Sequence, residues 1–167
     1  MSERADALRR QLIRNVDEVP KHRELRPPLY DTECARLAEG TAAVGLGMGI
    51  DVLAPGMRGC PYHLHHAQEE AFVVLEGTGT LELWPAPGNV GAKPETHDLR
   101  PGHVIARPPG TKISHAILAG ADGITYLAYG TREPNDICYY PRSNKIYFRG
   151  VGLMTRLENL DYSDGEP

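Results

Sequence analysis

Residues 61 to 77 read PYHLHHAQEEAFVVLEG, and their spacing decides how the rest of the chain is understood. In an extended strand successive side chains point to opposite faces, so His63 and His65 share a face and can reach one ion together. Glu70 stands at an odd offset from His65, so it cannot face that ion from the same uninterrupted strand. A reversal over His66, Ala67, Gln68 and Glu69, an ordinary hairpin length, removes the conflict and lets Glu70 open the returning strand. Residues 71 to 75 are apolar on both faces, as in a strand covered on both sides. Glu70, Phe72 and Val74 align, which continues the ligand face into an apolar pocket wall of Phe72 and Val74.

A second stretch, GHVIARPPGTKISHAIL at 102 to 118, has a Gly, a Pro-Pro-Gly turn, and His115 inside a β-prone run. Together the two stretches resemble the motifs of the cupin superfamily. With Glu70 as the carboxylate, four residues follow His65 and six precede Gly77, as in the first cupin motif, whereas Glu69 would leave seven. Gly102, Pro108 and Gly110 fit the second motif, and His115 is the histidine placed to serve in it. The spacing departs at three points: six residues separate Gly56 from His63, four separate Gly110 from His115, and Ala119 stands where the family often has Asn. The longer second gap preserves strand parity. The resemblance implies an all-β fold, an antiparallel double-stranded β-helix or jelly-roll barrel of a small single-domain cupin.

His63, His65, Glu70 and His115 are the expected metal ligands. The alternative is an inward polar network without metal, but three imidazoles and a carboxylate are costly to bury unpaired, and one divalent cation satisfies all of them. Three nitrogens and one oxygen suit Fe, Mn, Co, Ni or Zn, and a six-coordinate ion would keep two open positions for water, substrate or dioxygen. His66 is expected to face away, and Glu69 to lie outside the pocket. His22, His97 and His103 read as ordinary surface residues. Cys60 precedes His63 by three residues, which by parity turns it to the other face as an inert thiol.

At 167 residues, with 41% hydrophobic content, 18 Gly and 14 Pro, the chain suits one turn-rich domain. Net charge is −4 with both signs interspersed, so no footprint for nucleic acid or an anionic membrane is expected, and the partner should be a small molecule. Neither a secretory leader nor a long apolar span is read, which makes the cytoplasm the expected location. Three Cys without a C-x-x-C argue against a disulfide framework and a thiolate zinc site.

Residues 1–40 read as an arm with short helices, 41–157 as the barrel and 158–167 as a polar tail. Ala5, Leu8, Leu12 and Val16 recur at helical spacing, KHRELRPP reads as a break, and a second brief helix is expected over Thr32 to Glu39, stopped by Gly40. In TAAVGLGMGIDVLAPG, Ala42, Val44, Leu46, Met48, Ile50 and Val52 form the expected core face of a strand. Gly45, Gly47 and Gly49 on the other face call for something approaching closely, such as a second sheet, the arm or a partner subunit, unless the strand is a bulged edge. That face and the arm lead to the expectation of a homodimer. Further strands are read at 81–84, 104–106, 113–118, 124–129, 137–140 and 146–149. Tyr139, Tyr140, Arg142, Lys145, Tyr147 and Arg149 read as a solvated hairpin turning at Ser143 and Asn144, with contact to an anionic ligand as the alternative.

The functional expectation is a metal-dependent enzyme acting on a small oxygenated metabolite, isomerase-like for a sugar or sugar phosphate, or dioxygenase-like. No general base beyond the ligands can be named, so no catalytic residue is assigned. The alternative is a non-enzymatic cupin that senses or stores a small ligand.

Overall fold

The computed structural model of the chain describes residues 3–166, so Met1, Ser2 and Pro167, the outer ends of the expected arm and tail, lie outside the described residues. Helix α1 spans Glu3–Leu12. Eleven strands follow: β1 Lys21–Arg26, β2 Tyr30–Arg36, β3 Leu46–Leu53, β4 Leu64–His65, β5 Glu70–Pro85, β6 Glu95–Leu99, β7 Val104–Arg107, β8 Ile113–Thr131, β9 Ile137–Tyr140, β10 Lys145–Phe148 and β11 Leu153–Arg156. They form two antiparallel sheets. One runs β1-β2-β3-β8-β5-β6 with β7 also on β5, and the other runs β11-β10-β9-β4. This is the all-β jelly-roll expected from the sequence.

The two long strands organise everything else. β5 and β8 pair from Glu70↔Gly130 to Pro85↔Ile113 across two register shifts. The alternation of β5 buries Phe72, Val74 and Leu81, and these meet Leu53, Leu99, Ile105, Ile117, Ile124 and Tyr126 in one core. Burying each such side chain is worth about 1.5–3 kcal/mol, which fixes the register that sets Glu70 opposite Gly130 and His115 opposite Leu83, near the two ends of the ladder.

Three local readings are corrected. The stretch from Thr32 to Glu39 is not a helix; its first part belongs to β2, pairing β3 through Thr32↔Leu53 and Arg36↔Gly49. Thr32, Cys34 and Ala35 are buried there, so cross-strand packing outweighs the short helical pattern. KHRELR is not a break but β1, exposed along its whole length as an edge strand whose charges blunt it. The sheet therefore begins inside the segment read as an arm. Strand β3 also faces the opposite way: Gly47, Gly49 and Leu53 are buried, whereas Met48 and Val52 are 37% and 38% exposed. The cause is crowding on the inner side. The Arg132 guanidinium lies over Gly47, and a Cβ on Gly49 would stand 3.0 Å from the Ala35 carbonyl oxygen. The close approach expected along this face is real at Gly47 and Gly49 but not at Gly45, which has open space; it comes from within the fold, and β3 lies between β2 and β8 rather than at an edge.

Gly77 relieves the long β5–β8 pair where its register shifts. It adopts φ +72°, and a Cβ there would collide with the backbone of Gly123. Gly88, in the loop after β5, has φ +85° but open space around it. The left-handed backbone alone costs a residue with a Cβ about 1–2 kcal/mol. Gly77→Ala should therefore lose clearly more stability in urea unfolding than Gly88→Ala; equal losses would show that the β5–β8 close approach is not a constraint.

Candidate metal centre

The reversal expected between His65 and Glu70 joins the two sheets rather than two paired strands. β4 pairs with β9 through His65↔Cys138, while Glu70 opens β5 opposite Arg107 of β7 and Gly130 of β8. His63 lies just before β4 and is bonded to β8 directly: its N–H donates to the His115 carbonyl at 3.2 Å, and the His115 N–H donates back at 2.9 Å. Two candidate ligands from distant parts of the chain are thus pinned by reciprocal backbone bonds.

The Glu70 carboxylate is the meeting point. His63 Nε2 and His115 Nε2 lie 3.6 and 3.5 Å from Oε2, and His65 Nε2 lies 3.4 Å from Oε1. Donor atoms of His63, Glu70 and His115 all fall within 4.8 Å of one another, with His65 adjoining on the other carboxylate oxygen. The imidazoles also pack together, His63 at 4.6 Å from His115 and 5.1 Å from His65 between ring centres. His66 and Glu69 are exposed, as expected from parity.

The outer ring nitrogens fix the histidines. His65 Nδ1–H donates to Asp136 Oδ2 at 2.6 Å, and Asp136, 1% exposed, also accepts from the N–H groups of Ala67 and Gln68 at 3.0 Å each. His63 Nδ1–H donates to the Pro61 carbonyl at 3.0 Å, with Cys60 Sγ 3.5 Å away. With Nδ1 engaged, both rings direct Nε2 towards Glu70, the nitrogen a metal would take from each ring in its neutral form. Cys60 is not turned away from His63 as parity implied, because residues 59–62 are irregular and alternation does not apply to them.

Charge follows the packing. Burial alone would raise the Glu70 pKa, but its contacts with His63 and His65 hold it far below the ordinary carboxylate range. Burial disfavours protonated His63, yet Cys60 and Glu70 outweigh it and hold its pKa well above the ordinary value. Burial, reinforced by His63, drives His115 well below it and keeps that ring neutral. The donor set fits a cation on an independent count as well: buried Glu70 Oε2 and both ring nitrogens of His115 have no hydrogen-bond partner. Orphaned acceptors in a buried site are expensive, and a divalent ion would satisfy them together.

Phe72, expected in a pocket wall, is buried behind the cluster, its ring 5.5 Å from that of His115, and Val74 lies deeper in the core at 1% exposed. The space next to Glu70 is bounded instead by Arg107, Thr111 and Ile113 on one side and by Gln68, Gly130 and Arg132 on the other. The hairpin of β9 and β10 turns at 141–144 as expected, but it is not merely solvated. Tyr140 lies 6.0 Å from the His63 ring, and Arg149 donates to Gln68 Oε1 at 2.6 Å, which in turn donates from Nε2 to Glu70 at 3.2 Å. Sequence reasoning did not find Asp136, Gln68 or Arg107; an acidic residue just before the apolar run ICYY was the available signal for Asp136.

This site on this barrel makes the protein a cupin. More narrowly, the chain belongs to the auxin binding protein family, whose model matches residues 4–122. It is 36% identical over 84 residues to auxin-binding protein 1 of Arabidopsis thaliana, covering 50% of this chain and 40% of that protein. It is 32% identical over 127 residues to auxin-binding protein T92 of Nicotiana tabacum, covering 59% of this chain and 65% of the relative. The matches thus span less than two thirds of either relative. Among solved structures, a sugar phosphate isomerase candidate from Acidithiobacillus ferrooxidans superposes with a TM-score of 0.73 at 23% identity, over 91% of this chain and 98% of that one, which establishes a common fold.

If Asp136 orients His65, Asp136→Asn should weaken Zn(II) binding about 10–100-fold in a chelator competition, while Glu69→Gln leaves it unchanged. Equal affinity in Asp136→Asn and wild type would remove the orienting role.

Proposed function

We propose that His63, His65, Glu70 and His115 hold one divalent ion, Fe, Mn, Co, Ni or Zn, and that the protein is a metal-dependent enzyme of small-molecule metabolism. The observation that carries this reading is the convergence of three imidazoles on a buried carboxylate whose Oε2, like both His115 nitrogens, lacks a partner. A bound ion would supply a Lewis acid and open positions for an oxygenated substrate, either a sugar or sugar phosphate to be isomerised or a compound to be cleaved with dioxygen. The chain's own residues hold and orient. Asp136 and Pro61 fix the imidazoles, Phe72 closes the rear of the cluster, and Tyr140, whose phenol burial keeps protonated, stands over His63.

A second reading, binding without turnover, is favoured by two observations. The family is named for auxin binding, and the carboxylates nearest the cluster are engaged, Glu70 by the imidazoles and Asp136 by His65 and two backbone N–H groups. Among the described residues this leaves no free general base beside it.

The two readings part in a reconstitution with each of the five metals, assayed on sugar phosphates, hydroxy-carbonyl acids and catechols with and without dioxygen. The enzyme reading expects product with at least one metal, lost in His115→Ala while the β-sheet circular dichroism persists. Tight ligand binding without product under every metal would leave the binding role.

We also infer a homodimer formed through the N-terminal region. Helix α1 has no buried residue, Leu8 and Leu12 are 50% and 69% exposed, and β1 offers an open sheet edge. Light scattering at micromolar concentration should give twice the chain mass; a monomeric mass would exclude the pairing.

A further inference from the structure

On the side of Glu70 away from Arg107, a cavity of about 420 Å³ opens between the inner face of β3, the end of β8 and the reversal after His65. Arg36, Gly47, Gln68, Glu70, Gly130 and Arg132 line it. Its size suits a small metabolite, and Glu70, which meets the imidazole cluster, forms part of its wall.

Arg132 has a fixed backbone and a free side chain. Its N–H donates to the Gly45 carbonyl at 3.0 Å, and its guanidinium lies across Gly47 where any side chain would collide with it. Among the described residues that guanidinium makes no hydrogen bond or ion pair. The cations around it are already engaged: Arg36 faces Glu24 at 3.6 Å, and Arg149 donates to Gln68 and lies 3.8 Å from Asp136. The acids in the lining do not answer Arg132 either. Glu70 is turned to the imidazoles, and exposed Glu39 forms no ion pair among the described residues. Burial, followed by the nearby charges of Arg149 and Arg36, pulls the Arg132 pKa below the ordinary arginine value, and the charge of Glu70 opposes this only in part. A guanidinium held over a bare glycine and crowded by like charges is arranged to receive an anion, and its planar fork matches the two oxygens of a carboxylate or phosphate.

We propose that Arg132 forms an oxyanion subsite that takes the phosphate or carboxylate group of a small molecule whose other end reaches the cluster at Glu70. Gly47 and Gly130 are small because the anion and the guanidinium occupy the room that side chains would take; a Cβ on Gly130 would stand 3.1 Å from Gln68 Nε2. The second half, the reach to the cluster, rests on the metal-dependent reading above. The subsite itself does not.

The test uses the full chain stripped of metal by chelation, so that anion binding at Arg132 is separated from binding to an ion. Inorganic phosphate and acetate are titrated at constant ionic strength, and backbone amide shifts are followed by NMR. The expected result is saturable movement of the Gly47, Gly130 and Arg132 amides, with Arg132→Gln raising the half-saturating concentration about tenfold and Arg132→Lys raising it less. Whichever anion saturates at lower concentration identifies the group the subsite prefers. Should Arg132→Gln fail to fold, Arg132→Lys decides, with weakened saturation expected. Unsaturable shifts scattered over the surface, or an unchanged midpoint in the folded variant, would overturn the subsite. Metal uptake, measured separately on the same preparations, reports on the metal reading alone.

Discussion

A carboxylate placed out of water needs counter-charge or donors, and Glu70 finds neither in the backbone. It opens β5 with three imidazole Nε2 atoms 3.4–3.6 Å from its oxygens, one of which has no hydrogen bond at all. Those separations are longer than good hydrogen bonds and leave the group's desolvation only partly offset. The rest of the site follows from that constraint. His63 and His65 are held by hydrogen bonds at Nδ1, and His115 is kept neutral by burial, so that each ring turns Nε2 towards the carboxylate. One cation at the centre would satisfy that oxygen and His115 Nε2 together.

The scaffold makes this placement rigid. The β5–β8 ladder buries the core residues that set its register, and the same ladder carries Glu70 at one end of β5 and His115 near the start of β8. The reciprocal bonds between His63 and His115 tie the irregular stretch before β4 to that ladder. Asp136 serves the opposite side, joining the loop before β9 to His65 and to the turn at Ala67 and Gln68. Loss of one imidazole should therefore leave the barrel folded.

The convergence of His63, His65, Glu70 and His115 was legible because it depends on local rules: parity within a strand, the length of one reversal, and a Pro-Gly turn before a β-prone run. What was not legible depends on distance or on facing. Asp136 meets His65 across 71 positions, and no spacing rule links them. Strand β1 is charged on both faces because it is an exposed edge, so KHRELR looked like a break. In β3 the apolar residues Met48 and Val52 pointed to a core face, yet the glycines turn inward because Arg132 and the Ala35 carbonyl fill the space beside them. Residues 59–62 are irregular, and the parity rule applied to Cys60 had no strand to act on. No helix among the described residues is long and apolar enough to cross a membrane.

The claim on which the account turns is that the four side chains share one ion. Anomalous diffraction from crystals of the purified protein, collected at the absorption edges of the first-row metals, tests it directly. The account predicts a single strong peak within coordination distance of the Nε2 atoms of His63, His65 and His115 and of a Glu70 oxygen. A metal-replete crystal with no peak there, or with its peak on other residues while these four keep the geometry described, would contradict it.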